Sequence, residues 1–287
     1  FAKAPKTQLD ETAYYQYIVA EFYSGNAKNA LEVARHGLQK YAGSEYLSRL
    51  AVMAAVDQNQ FPEALTYSEN VMRGKEQKNY NDYYYYGQAL AGNDKFQEAI
   101  NAYNKCLELK PGEVDPLSKL SAAYAGLGDG DKALDFQRQY LEKGTNITST
   151  DWADFAGIYI KMGDQVDSLD HAKAVGYYTQ AMDVYEKMTE KFPTLKDWCW
   201  VAEASVALGK LKDLDKVRDL YTKVAEYEEA KADKSDANTK NYLSAAYYFL
   251  GYYYAGKNDA ETSKSYFEKL IQIDPENAEA KKALGLE

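Results

Sequence analysis

The chain offers few residues whose types and spacing could do chemistry. His36 and His171 are the only histidines, so neither a paired-imidazole metal site nor a catalytic base shared with a second imidazole is encoded locally. Asp164, Asp167, Asp170 and His171 could bring oxygen and nitrogen donors around a divalent ion. Calcium loops place carboxylates at alternate positions, which this spacing does not do, so the favoured reading is that Asp170 or Ser168 caps a following helix and the rest are solvated. Gly126 to Asp131, GLGDGD, has the glycines of a phosphate loop but neither a preceding strand nor a following lysine-serine, and reads as turn chemistry. Cys106 and Cys199 lie far apart and are not expected to pair. Asn146-Ile147-Thr148 matches a glycosylation sequon, a pattern too short to count. No Ser/His/Asp or Cys/His arrangement is marked, so no catalytic residue, cofactor or metal is expected and the chain reads as a non-enzyme.

The elements that would carry these residues follow from one 34-residue unit, 80–113. Within it Tyr83, Tyr86, Gly87 and Leu90 stand at offsets 4, 7, 8 and 11, the spacing of one helix face; Ala99, Tyr103 and Cys106 at offsets 20, 24 and 27 form a second. Small Gly87 and Ala99 let two backbones approach, and the larger residues fill the space around them. Gly92-Asn93-Asp94 carries turn chemistry between the helices, and Lys110-Pro111-Gly112 ends the second. Such a hairpin buries its apolar face only against neighbours.

With Gly87, Asn93, Phe96, Ala99, Tyr103 and Pro111 at offsets 8, 14, 17, 20, 24 and 32, the unit closely resembles the tetratricopeptide repeat. The resemblance implies an all-α fold, a right-handed superhelical α-solenoid of about seven helix-turn-helix repeats. Copies are expected near 11–44, 45–78, 80–113, 114–147, 149–194, 195–231 and 244–277, after a leader at 1–10 and before a closing helix at 277–286, with 11–287 forming one solenoid. Ile18, Val52 and Ser121 replace glycine at offset 8. The fifth copy needs roughly thirteen inserted residues around Asp164 to Ala174, expected as a longer loop or an extended second helix, and the sixth a shorter insertion near Leu211 to Leu214. The charged stretch Glu226 to Lys240 is read as a separator before the seventh.

The net charge is −10, with −3 in residues 1–144 and −7 in the remainder. An acidic chain does not suit a phosphate backbone, so nucleic acid is not an expected partner. No run approaches the ~20 apolar residues that span a bilayer. The leader from Phe1 to Lys6 lacks a hydrophobic targeting core; a cleaved export signal fits it, so a periplasmic or cell-envelope location is favoured over the cytoplasm.

Tyrosine is the outlier, with 28 copies. The doublets Tyr14-Tyr15, Tyr83-Tyr84 and Tyr247-Tyr248 recur, and adjacent helical residues point about 100° apart, so when the first packs the second cannot. In the family resembled, offsets 2, 5, 9 and 12 line the concave ligand groove. Here that stripe gives the candidate binding residues Tyr15, Arg49, Tyr84, Gln88, Glu203, Tyr248 and Tyr252. The family's two-carboxylate clamp needs lysine at offset 5 and asparagine at offset 9, where the first unit has Tyr15 and Val19 and the second Arg49 and Met53; a chaperone-tail receptor is disfavoured. The leading expectation is a protein-interaction scaffold that binds a peptide or protein segment in a tyrosine-rich groove. The alternatives are a carbohydrate-binding protein stacking sugars on Trp152, Trp198 and Trp200, and a self-assembling structural component.

Overall fold

The structure, a computed structural model, describes residues 9–232 and 235–286. Most of the leader, residues 1–8, therefore lies outside the described residues. Among the described residues there are α-helices and short helical turns but no strand. Contacts divide the chain into two compact units, Phe1–Thr145 and Asn146–Glu287. The first holds α1 (Glu11–Tyr23), α2 (Ala27–Lys40), α3 (Glu45–Asp57), α4 (Phe61–Arg73), α5 (Tyr80–Ala91), α6 (Phe96–Leu109), α7 (Asp115–Leu127) and α8 (Gly130–Lys143). The second holds α9 (Ser149–Val166), α10 (His171–Lys191), α11 (Lys196–Val206), α12 (Leu214–Glu229), α13 (Ala237–Gly256), α14 (Ala260–Ile273) and the short α15 (Ala278–Ala283). Within each unit every helix packs on the next, the arrangement of an α-solenoid.

Five of the hairpins turn at a residue in the left-handed region at the same repeat offset. Gly25, Asn59, Asp94, Gly128 and Asn258 all have φ between 55° and 84°, and all stand at offset 15 of their unit. Glycine and the short polar side chains tolerate that conformation, which explains their use there. The following position caps the second helix: Asn26, Asp129 and Asp259 each accept the backbone N–H three residues on.

The helices of a hairpin are locked by an exchange of volume between offsets 8 and 24. A Cβ added to Gly87 would meet the Tyr103 ring at 2.5 Å, and one added to Gly251 would meet Phe267 at 2.8 Å. In the first two hairpins offset 8 is larger and offset 24 is small: buried Ile18 goes with Ala34 and Val52 with Ser68. Hydroxyls tie the same crossing. Ser121 Oγ donates to the Ala133 carbonyl at 2.8 Å, and Ser263 Oγ to the Gly251 carbonyl at 2.9 Å. Consecutive hairpins are joined by a second close contact. Phe61 and Phe96, both at offset 17, press on Gly92 and Gly126 of the following unit, where an added Cβ would come within 2.1 Å and 2.6 Å of the rings. Gly92 and Gly126, read from sequence as turn residues, thus serve packing between units.

The insertion in the fifth unit lengthens both helices of its hairpin, α9 to 18 residues and α10 to 21, with only Asp167 to Asp170 between them. A second glycine–aromatic layer fills the longer crossing, Gly163 against Tyr178. In the sixth unit the extra residues form a π-helical turn, Ala207–Leu211, followed by Lys212 at φ 57°. The seventh unit's first helix begins at Ala237, so much of the stretch read as a separator is helical.

On the second helices, Arg35 holds Glu63 through two hydrogen bonds, 2.8 and 2.6 Å, and Tyr67 donates to the same carboxylate at 2.5 Å. The Arg35 hydrogen bond keeps the Glu63 carboxyl below the usual glutamate range.

Gly87→Ala forces the Tyr103 ring to shift and is expected to destabilise by about 1–3 kcal/mol, whereas Ser68→Ala removes a buried hydroxyl that has no hydrogen-bond partner among the described residues and is expected to stabilise by about 1 kcal/mol. Urea denaturation of both variants checks the opposite signs. For Glu63, whose pKa is lowered on folding, the contribution is complete above the unfolded value of about 4.3 and is lost as pH falls through the folded value. Glu63→Gln should therefore show a smaller drop in urea midpoint between about pH 7 and about pH 3 than the parent chain.

Candidate functional site

In the first unit the first helices of successive hairpins touch one another, α1 with α3, α3 with α5 and α5 with α7. They form one continuous face. A cavity of about 310 Å³ opens on it, lined by Tyr15 and Tyr23 from α1, Tyr46, Arg49 and Met53 from α3, and Asp82 and Tyr85 from α5. A second hollow of about 400 Å³ adjoins it at Glu11, Thr12, Tyr15 and Tyr46. Tyr15, Tyr46 and Tyr23 are 42%, 54% and 74% exposed. Their doublet partner logic holds at the start of the chain: Tyr14 is buried and Tyr15 is not.

Arg49, a candidate for anchoring a ligand, is already engaged. Its Nε donates to Asp82 Oδ1 at 2.8 Å, and its Nη2 donates to Asp82 Oδ2 at 3.1 Å and to the Gln77 carbonyl at 3.3 Å. Asp82 also takes the Asn79 N–H at 3.0 Å in a capping box at the start of α5. The pair thus fixes α3 to the end of α5, and its carboxylate is the deeper partner, with 3% of its side chain exposed. At the far side of the groove, burial pushes the Tyr85 phenol up, with smaller contributions from neighbouring Tyr23 and Asp57.

The other candidates separate. Tyr84 is half-buried, stacked on Tyr80 at 5.7 Å and edge-on to Tyr103 at 6.3 Å, and burial raises its pKa well above the usual phenol range. It is the packed member of its doublet, since it lies against the core cluster around Leu90 and Tyr103. Gln88 is half-buried. Glu203 is 3% exposed and its carboxylate takes Lys216 Nζ at 2.8 Å. Burial outweighs that contact and raises the Glu203 pKa, while the hydrogen bond raises that of the more exposed Lys216. Cys199, on the same stripe, is fully buried. In the second unit Tyr248 and Tyr252 are 42% and 41% exposed with ring centroids 4.9 Å apart. Tyr252 Oη donates to Glu279 Oε2 of α15 at 2.7 Å, a bond that with burial pushes the phenol up to about 12.

Tyr23, Tyr46 and Tyr85 were not among the residues singled out from the sequence. Tyr46 stands at offset 2 of its unit, on the stripe itself; Tyr23 and Tyr85, at offsets 13 and 6, lie off it and reach the cavity only through the way α1 and α5 flank α3.

The remaining chemistry-bearing residues have structural partners. Asp164 accepts Tyr178 Oη at 2.8 Å and Lys210 Nζ at 2.5 Å, Asp167 pairs with His171 Nδ1 at 2.6 Å, and Asp170 caps α10. Both cysteines are free and buried, and burial pushes the Cys106 thiol up to about 12 and the Cys199 thiol up to about 11. Lys191 sits over the Trp152 ring at 4.9 Å, and Trp198 and Trp200 meet Tyr185 and Tyr227 edge-on at 5.9 and 5.7 Å. Among the described residues no helix is long and apolar enough to cross a membrane.

Removing the Tyr252 hydroxyl should free the closing helix. Tyr252→Phe is expected to raise amide hydrogen exchange across Ala278–Ala283 about fivefold, the equivalent of a hydrogen bond worth about 1 kcal/mol. Unchanged exchange there would show that α15 is held by its apolar contacts alone.

Comparison with known proteins gives the fold its family. The tetratricopeptide repeat family models match residues 80–113 and 244–277. The C-terminal part of a tetratricopeptide repeat-containing protein from Cytophaga hutchinsonii superposes with a TM-score of 0.66 at 19% identity, covering 94% of this chain and 99% of that one. A tetratricopeptide repeat protein from Parabacteroides merdae superposes with a TM-score of 0.54 at 14% identity, covering 96% and 98%. No curated protein sequence matches the chain. With two hairpins that match the repeat's family models and these structural neighbours, the chain contains tetratricopeptide repeats and has the helical-repeat fold of tetratricopeptide repeat proteins.

Proposed function

We propose that the chain is a non-enzymatic scaffold that captures a peptide or protein segment in the groove of its first unit, with Tyr15, Tyr23 and Tyr46 as anchors. The observation that carries this reading is the placement of three strongly exposed tyrosines around one cavity on the shared face of α1, α3 and α5. Exposed aromatic side chains gathered in a concavity supply large contact area with few rotatable bonds, and a few of them can carry most of an interface. Arg49 and Asp82 contribute as a rigid floor, because their mutual bonds hold the flanking helices in place before any partner arrives. The side chain of Gln88 and the rings of Tyr84, Tyr248 and Tyr252 lie outside the cavity; Tyr248 and Tyr252 offer a second aromatic surface in the other unit. Glu203 takes part only by holding Lys216.

Panning a displayed library of random peptides against the full chain tests the groove. Enriched peptides are expected to bind the parent chain and to lose at least about tenfold in affinity to the double variant Tyr15→Ala/Tyr46→Ala, with circular dichroism unchanged. Absence of any enriched peptide, or equal binding to the variant, would sink the assignment.

A further inference from the structure

We infer that the partner of this groove is a basic protein segment, one of whose lysine or arginine side chains seats on the Tyr15 and Tyr46 rings beside Glu11. The inference rests on the groove reading above and adds the chemistry of the occupant.

Charge is the first support. Among the described residues Arg49 is the only cation that lines either hollow, and its guanidinium is tied to Asp82 and to the Gln77 carbonyl. That pair leaves almost no net charge on the floor. Glu11, half-exposed in the adjoining hollow, has no partner among the described residues. Asp57, exposed and close enough to act on the Tyr85 phenol, has among the described residues only the Gln58 amide, at 3.2 Å. The uncompensated charges at the groove are therefore carboxylates, on a chain whose residues 1–144 carry −3. An acidic segment would have to draw Arg49 away from a buried Asp82, and stranding a buried charge is strongly unfavourable.

The rings are the second support. The face of a tyrosine is the negative pole of its quadrupole and attracts an ammonium or guanidinium placed over it. The first unit already uses this pose: Lys110 lies 4.8 Å from the Tyr80 centroid, Lys132 5.0 Å from Tyr124 and Lys40 5.3 Å from Tyr41. Tyr15 and Tyr46, among the most exposed tyrosines of the unit, have neither a cation nor a second ring against them among the described residues. They leave open, in a cavity beside a carboxylate with no partner among the described residues, the position that the unit's own lysines take elsewhere.

Fluorescence anisotropy of the full chain with three labelled peptides of equal length, alanine-spaced and carrying lysine and arginine, glutamine, or glutamate, tests the inference. The basic peptide is expected to bind at least about tenfold more tightly than the other two and to weaken as salt rises to about 0.3 M. Tyr15→Ala/Tyr46→Ala and the conservative Glu11→Gln should each weaken it about three- to tenfold, while circular dichroism stays unchanged. A glutamine or glutamate peptide that binds as well, and is lost in the tyrosine variant, overturns the cationic occupant and leaves the groove reading standing. Basic-peptide binding that is indifferent to both variants overturns the inference as diffuse attraction to an acidic chain, and the library peptides then decide the groove separately. Spermine that binds the chain as tightly as the basic peptide overturns the assignment to a protein segment.

Discussion

The stack depends on how a residue midway along the second helix of a hairpin, often an aromatic ring, fills the space left by its counterpart in the first helix. The Tyr103 ring can lie where it does only because Gly87 has no Cβ, and Phe267 uses Gly251 in the same way. The constraint is on the sum of two volumes, not on either residue, since Ile18 is accommodated by Ala34 and Val52 by Ser68. Close-packed interiors tolerate such exchanges when total volume is conserved. A second ring, Phe61 or Phe96, repeats the device between hairpins and so sets the spacing of the stack.

That packing decides which surface is left for a partner. Once offsets 4, 7, 8 and 11 of the first helix are turned toward the core, the adjacent stripe faces the neighbouring first helix, and residues on it meet across helices rather than along one. Tyr15, Tyr46 and Arg49 come together in this way. The same approach of α3 and α5 lets Arg49 reach the capping carboxylate Asp82, so one ion pair both caps a helix and fixes the distance between two walls of the groove. In the proposed reading, a rigid, nearly neutral floor under exposed phenol rings would select a partner by its rim contacts, and the charges left unpaired there among the described residues are negative.

Several of these features were legible in the residues themselves. Gly87, Ala99, Tyr103 and Pro111 at their offsets are enough to write the hairpin, because helical periodicity and turn chemistry act over one or two turns of chain. The positive-φ position at offset 15 could be read from Gly25, Asn59 and Gly128 for the same reason. The split of Tyr14 from Tyr15 followed from helix geometry and holds. It fails at Tyr83 and Tyr84, because Tyr80 and Tyr103 offer Tyr84 rings to pack against. Glu203 was placed on the open stripe and is buried, because the π-helical turn after α11 and the start of α12 bring Lys216 over it.

The sequence by itself determined the hairpin, its repetition and the faces that each helix would bury, since these depend on residues a few positions apart whose preferences add along the chain. Tertiary structure alone decided which stripe residues are available. Whether Arg49 is a free anchor or half of a buried pair depends on Asp82, 33 positions away, and whether Tyr23 and Tyr85 share a cavity with Tyr15 depends on how three helices lie side by side. Those are distances across the fold, and no local spacing encodes them.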